Sequence, residues 1–198
     1  NQLKQDLYLR ISFELYLKRL LVGGYEGVYE IGRDFRNEGV DRTHNPEFTQ
    51  LEFYLAYADY FKVMELTEQM ILFAADKVLG KHELQYMNHT IQLKTPWQRM
   101  ELGEGLLEII GIDIEQHPTA ESLAAAMQAK GLQFNPNDTR GKLIDGMLGD
   151  YLAPTLIQPT FVMRMPAQLL PLARACKDDP SVVDVFELEI NGQEIAPA

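Results

Sequence analysis

Two clusters of side chains in this sequence could do chemistry. The first lies in Arg36-Asn-Glu-Gly-Val-Asp-Arg-Thr-His-Asn-Pro-Glu-Phe-Thr49. Arg36 offers a planar fork of donors suited to a carboxylate or a phosphate, and Arg42 and His44 add donors nearby. Phe48 supplies a flat apolar surface, so the set is similar to a nucleotide site. The same composition also describes a surface loop with ordinary ion pairs. Just downstream, Glu52 and Tyr54 share one face of an alternating run, with Glu47 out of phase. A carboxylate beside a phenol could receive an ammonium group. An exposed glutamate beside a half-buried tyrosine is the plainer reading.

The second cluster is Phe186-Glu-Leu-Glu-Ile, which puts Glu187 and Glu189 on one face and Phe186, Leu188 and Ile190 on the other. Asn191-Gly192 is a strong signal for a two-residue hairpin turn, and across it Glu194 returns to the same neighbourhood. Three converging carboxylates repel unless a hard cation sits among them, so a magnesium site is one reading. A solvated strand face is the other. His82, His89 and His117 lack ligand spacing and receive no role. The sequence has no glycine-rich phosphate loop, Cys/His zinc pattern or Gly-x-Ser-x-Gly nucleophile signature.

These residues need elements to hold them. A helix is expected from Phe13 to Leu21, stopped by Gly23-Gly24. Val28 to Arg36 and Glu47 to Tyr57 read as a long antiparallel hairpin around a polar loop from Asn37 to Pro46. Phe61 to Leu79 repeats apolar residues near a period of 3.6 and is closed by Gly80. A small hairpin over 84–93 precedes a break at Pro96. Helices are expected at Met100 to Ile110, at Thr119 to Lys130 with Thr119 as N-cap, and at Arg140 to Leu152 with Thr139 as N-cap. Strands are expected at Thr160 to Met165, Val182 to Ile190 and Gln193 to Ala196. The fold class is therefore α+β, an antiparallel sheet interrupted by a mostly helical stretch around 96–155.

Whole-chain numbers set the bounds. A chain of 198 residues, 46% hydrophobic and 24% charged, fits one globular domain that buries roughly 70% of its unfolded surface. The net charge of -11 argues against a general affinity for phosphate backbones but leaves room for a local site. Apolar runs stop far short of the roughly 18 residues that span a bilayer. The single cysteine, Cys176, cannot form an internal disulfide and reads as a plain thiol, which fits a reducing, cytoplasmic setting. The start at Asn1 and the stop just after a return strand both look like cuts.

From Tyr8 to Tyr60 the chain resembles the lysyl-tRNA synthetase family of class II aminoacyl-tRNA synthetases. The resemblance rests on Leu-Tyr-Leu-Lys-Arg-Leu (15–20), Phe-Arg-Asn-Glu-Gly (35–39), His-Asn-Pro-Glu-Phe-Thr (44–49) and Tyr-Ala-Asp-Tyr (57–60). It continues through Leu-Ile-Gln-Pro-Thr-Phe (156–161), Pro-Leu-Ala-Arg (171–174) and Phe-Glu-Leu (186–188). The first hairpin, about 27–60, matches the family's motif 2, and residues 1–198 match part of the catalytic domain. Motif 1, motif 3 and the anticodon-binding OB domain have no counterpart here.

The resemblance implies ATP-dependent activation of lysine to lysyl-adenylate and transfer to tRNA(Lys), with magnesium as cofactor and a homodimeric parent enzyme. Arg36 would hold the substrate carboxylate and the α-phosphate; Glu38, His44, Asn45 and Phe48 would contact ATP. Glu14 would bind the α-amino group of lysine, Glu52 and Tyr54 its ε-ammonium, and Glu187 and Glu194 the magnesium. The chain departs from the family at Phe13 (usually proline), Gln168 and Leu170 (glutamate and serine), Glu189 (an aromatic) and Pro197 (an asparagine). Little or no aminoacylation is expected of residues 1–198 alone. An elongation factor P lysyltransferase and a non-catalytic, synthetase-derived binding module remain as alternatives.

Overall fold

The computed structural model describes residues 2, 4–37, 39–41 and 43–198. They fall into two compact units, Asn1–Ala58 and Asp59–Ala198, each described by itself.

In the first unit, the alternating run Gly27–Phe35 (β1) pairs antiparallel with Glu47–Leu55 (β2), in unbroken register from Gly27↔Leu55 to Phe35↔Glu47. A period of two then puts Glu30, Gly32 and Asp34 on one face with Phe48, Gln50, Glu52 and Tyr54. The helix Glu14–Val22 (α1) accompanies this hairpin and buries Leu17. Its N-cap residue, Phe13, is fully buried. A Cβ at position 32 would stand 3.3 Å from the Phe13 ring, so glycine there lets the aromatic ring lie close on the strand. The segment before α1 is tied down as well. The Arg10 carbonyl accepts from the Phe35 N–H at 2.8 Å, and its guanidinium reaches Glu30 at 2.5 Å and buried Asp34 at 3.2 Å.

The second unit opens with the helix Tyr60–Leu79 (α2). Asp59 caps it by accepting from the Lys62 N–H at 2.9 Å, and Gly80 ends it at φ +64°. A small antiparallel hairpin follows, Glu83–Tyr86 (β3) with His89–Gln92 (β4). Next come the strand Gln98–Glu101 (β5) and the helices Leu102–Ile109 (α3), Ala120–Ala129 (α4) and Arg140–Met147 (α5). Thr119 and Thr139 cap the last two as expected, Thr119 in a reciprocal capping box with Ser122. The strands Thr160–Pro166 (β6), Val182–Ile190 (β7) and Gln193–Pro197 (β8) complete a sheet of order β5-β6-β7-β8.

Three expectations need correction. A helix was expected from Met100, but 98–101 is a strand, because pairing with β6 overrides a local sequence too short to show a period of two. That pairing is parallel, so the sheet is antiparallel only from β6 to β8. Finally, α5 stops as an α-helix at Met147 and continues as a π turn over Leu148–Leu152, a stretch in which Leu148 and Leu152 are buried.

The central strand β6 is buried on both faces, which explains its nearly continuous apolar sequence Thr-Phe-Val-Met-Arg-Met. On one face Phe161 and Met163 join Met64, Trp97, Phe186 and Leu188; on the other Val162 joins Leu102, Leu106, Ile144 and Leu152. Phe161 lies at the centre of the first cluster, 5.7 Å from the Trp97 ring and edge-on to Phe186 at 4.9 Å. Phe161→Ala is expected to cost about 3–5 kcal/mol in urea unfolding. Leu172→Ala, at a fully exposed position, should change stability by less than about 0.5 kcal/mol. Equal midpoints for the two variants would refute this account of the core.

Candidate functional site

The inner face of the β1–β2 hairpin carries more carboxylates than cations. Both oxygens of Glu52 are engaged: one accepts from the Tyr54 hydroxyl in a short hydrogen bond, the other from the Gln50 amide at 3.0 Å. Burial, followed by the Glu52 carboxylate as acceptor and as charge, pushes the Tyr54 phenol well above its ordinary range. Tyr54 therefore remains a neutral donor. Glu30 stands directly across from Glu52 in register and is held by Arg10. On α1, Lys18 bonds Glu14 one turn earlier and lies 5.5 Å from the centre of the Tyr54 ring. Glu14 in turn adds negative potential at Tyr54. Glu14, Lys18, Tyr54 and Glu52 thus form one contiguous set, of which sequence spacing joined only Glu52 to Tyr54. Glu14, Glu30, Asp34 and Glu52 face Arg10 and Lys18, a balance that attracts a further cation.

Arg36 stands at the neck of the loop between β1 and β2. Its N–H donates to the Pro46 carbonyl at 2.9 Å, and its Nε donates to the Ile11 carbonyl at 3.1 Å. The guanidinium carbon is 5.3 Å from the centre of the Phe48 ring. A cation and an aromatic face therefore adjoin at an exposed position, an arrangement able to grip an anionic group beside a planar one. Farther along the loop, Asp41 accepts from the Thr43 and His44 N–H groups, both at 2.7 Å, and from or against the His44 ring at 2.9 Å. Asn45 follows, exposed. Glu38 and Arg42 lie outside the described residues.

In the second unit the turn Asn191-Gly192 has φ of +53° and +70°. A side chain at 192 would also approach the Pro154 backbone to 3.1 Å, so both conformation and space call for glycine. The turn is pinned: Asn191 and Gly192 N–H groups donate to the Ile157 and Leu156 carbonyls, each at 3.1 Å, and the Asn191 side-chain oxygen is 2.7 Å from the His89 ring. His89, given no role from sequence, thus positions this hairpin; its only sequence signal was a turn context. Glu189 pairs directly with Glu194, and Glu187 lies two residues before it on the same strand. Glu187 is pushed up to about 7 by burial and then by Glu194, Glu189 and Asp145; burial and then Glu194 push Glu189 up to about 7. Among the described residues no group of three His, Cys, Asp or Glu side chains is placed to hold a metal ion. The buried Glu189 Oε2 has no hydrogen-bond partner, and Glu187 lies near enough to Glu194 to feel its charge, so the donors that adjoin here are hard carboxylate oxygens.

A cavity of about 710 Å³ lies elsewhere in this unit, lined among others by Glu101, Arg140, Arg164, Gln168 and Asp179. No residue singled out in the sequence for catalysis, ligand or metal binding lines it. Arg164, at φ +57°, is held there by Glu101 at 3.3 Å and Asp178 at 2.9 Å.

A family model described as tRNA synthetases class II (D, K and N) matches residues 1–198. The chain belongs to this class II synthetase family. A lysine–tRNA ligase of Moorella thermoacetica is 46% identical over 198 residues, covering 100% of this chain and 40% of that protein. One from Roseiflexus sp. is 48% identical with the same coverage. One from Christiangramia forsetii is 44% identical over 200 residues, covering 35% of that protein. The chain thus spans about 40% of the length of the curated relatives it matches. Among the described residues no helix is long and apolar enough to cross a membrane.

The Asp41 turn makes a pH prediction. The Thr43 N–H first, and then the His44 ring and N–H, hold the Asp41 carboxyl down at about 2. A depressed folded value means that the turn's contribution is complete above the ordinary carboxylate range and is lost as pH falls through about 2. The Thr43 and His44 amide resonances should therefore titrate together in NMR with a midpoint near 2. A midpoint near the unperturbed value of about 3.9 would show that the carboxylate does not hold the turn.

Proposed function

We propose that this chain is part of the catalytic domain of a lysyl-tRNA synthetase, activating lysine with ATP for transfer to tRNA(Lys). The observation that carries the reading is the Glu52–Tyr54 pair with Glu14 beside it: fixed anionic acceptors on a face with surplus negative charge. An ammonium withdrawn from water is costly unless such acceptors meet it. The names of the relatives, lysine–tRNA ligases, point the same way.

In this reading Glu14 receives the α-amino group of lysine, Glu52 and Tyr54 receive the ε-ammonium, and Arg36 holds the substrate carboxylate against the α-phosphate. Phe48 lies against adenine, with Glu38, His44 and Asn45 contacting ATP. Adenylate formation is an in-line displacement at phosphorus by the amino acid's own carboxylate, so no side-chain nucleophile is needed. The work left to the protein is alignment and neutralisation of charge, and the guanidinium of Arg36 does both. Glu187 and Glu194 would hold magnesium, which supplies charge neutralisation at phosphate oxygens. A cytoplasmic, homodimeric enzyme belongs to the same proposal.

Lysine-dependent exchange of pyrophosphate into ATP by the complete gene product tests it. Arg36→Ala should lower kcat by about 100-fold or more, the scale of losing one charged transition-state contact. Glu52→Gln should act mainly on KM for lysine, raising it by roughly tenfold or more as a charged hydrogen bond is lost. Exchange that is as fast in Arg36→Ala as in the unmodified protein, or that prefers an uncharged amino acid, would overturn the reading.

A further inference from the structure

The cavity of the second unit, about 710 Å³, falls within the range of pockets that hold small ligands. Its charged groups are unevenly matched. Arg164 is balanced by Glu101 at 3.3 Å, Asp178 at 2.9 Å and Asp179 at 3.9 Å, and Asp179 also accepts from the Ser181 N–H and hydroxyl at 2.9 and 2.7 Å. These groups satisfy one another. Arg140 and Glu115, which line the same cavity, are not matched in this way. The Arg140 guanidinium donates from Nε to the His117 carbonyl at 2.8 Å, from Nη2 to the Ile114 carbonyl at 2.7 Å and from Nη1 to the Gln168 side-chain oxygen at 3.3 Å. All three acceptors are neutral, so the cation is anchored without being compensated, and Nη1 and Nη2 each keep one N–H. Glu115 follows Ile114 directly. Its N–H donates to Asp113 at 3.0 Å, and among the described residues its carboxylate has no hydrogen bond or ion pair. A fixed cation and a spare carboxylate thus adjoin the same Ile114–Glu115 peptide unit without pairing.

We propose that this cavity binds a free α-amino acid with an apolar side chain. The ligand's carboxylate takes the open N–H groups of Arg140, its ammonium takes Glu115, and its side chain lies against Ile114, Pro118, Pro166 and Val182. An α-amino acid carries both charges on one carbon, so its head group can join a cation and an acid that stand near each other without touching. A ligand with only a carboxylate leaves Glu115 unmet, and one with only an ammonium leaves Arg140 unmet. The apolar part of the wall favours an aliphatic body, as small-ligand pockets combine a few placed polar groups with an apolar lining. None of these residues belongs to the groups assigned above to lysine, ATP or magnesium.

The test is titration of the complete gene product with L-leucine, followed by calorimetry and by methyl NMR. Leucine lacks the ε-ammonium that Glu52 and Tyr54 would receive, so it reports on this cavity. It should bind saturably with a Kd of about 1 mM or tighter, and it should shift the methyl resonances of Ile114 and Val182. 4-Methylpentanoate, without the ammonium, and 3-methylbutylamine, without the carboxylate, should each bind about tenfold or more weakly, the scale of a lost charged hydrogen bond. E115Q should weaken leucine binding by a similar factor. Q168E, which sets a carboxylate against Arg140 in competition with that of the ligand, should do the same. Both positions are exposed, so neither variant disturbs the core. The inference is overturned if the unmodified protein shows no saturable binding, if either variant binds leucine as tightly as the unmodified protein, or if binding leaves the Ile114 and Val182 methyls unmoved.

Discussion

A carboxylate withdrawn from water must be met by a donor, a cation or a proton, and this constraint shapes both faces on which function has been placed. On the β1–β2 hairpin much of the demand is met within the protein: Glu52 takes the Tyr54 hydroxyl and the Gln50 amide, Glu30 takes Arg10, and Glu14 takes Lys18, while buried Asp34 has the ion pair with Arg10 and, among the described residues, no hydrogen-bond partner for either oxygen. On the β7–β8 hairpin less of it is met. Glu187 and Glu189 face other acids and rise to about 7, and one Glu189 oxygen is left without a partner. The first arrangement is a set of carboxylates held in fixed positions by their own partners. The second is a set of acids whose burial and mutual charge raise them toward neutrality.

Both arrangements depend on rigid backbone rather than on the side chains themselves. The hairpin of the first unit keeps one register over nine cross-strand pairs, so a single residue of slip would turn Glu52 and Tyr54 to the opposite face. Phe13 against Gly32 and Arg10 on Glu30 and Asp34 fix the segment that leads into α1, and with it the start of the helix bearing Glu14 and Lys18. In the second unit, β6 and β7 lie between two apolar clusters, and the aromatic contacts of Phe161 and Phe186 resist sliding. The turn that returns β8 is held at its tip by Ile157, Leu156 and His89.

Much of this was legible in the sequence because it is local. Alternation located β1, β2 and β7, and a short apolar run ended by proline located β6; Gly80 and the threonine caps bounded helices; and Asn191-Gly192 announced a turn that does form. The phase argument that joined Glu52 to Tyr54 holds because strand geometry has a period of two whatever the tertiary context. What sequence left hidden was set by distant partners. Residues 98–101 carry no strand signal and become one only beside β6. His89 looked idle because its partner, Asn191, is 102 residues away. The charge surroundings of Glu189 depend on Thr160 turning its hydroxyl to Gln158, a choice no pattern of residue types encodes.

The two alternating glutamates of β7 show how far physical chemistry can divide residues that look alike. Glu187 and Glu189 have the same side chain and the same face, yet Glu187 feels Glu194, Glu189 and Asp145, whereas Glu189 is less accessible, sits directly opposite Glu194 and feels that acid alone. Replacing an apolar side chain at such a position by an acid costs desolvation with no hydrogen bond in return, so a neutral structural role would favour its loss. Each further acid also increases repulsion, and three acids stay side by side only if the sheet around them is stiff. The packing of β6 on both faces, and of Phe186 and Leu188 on the other face of β7, supplies that stiffness, so the position of the carboxylate cluster depends on the apolar core behind it.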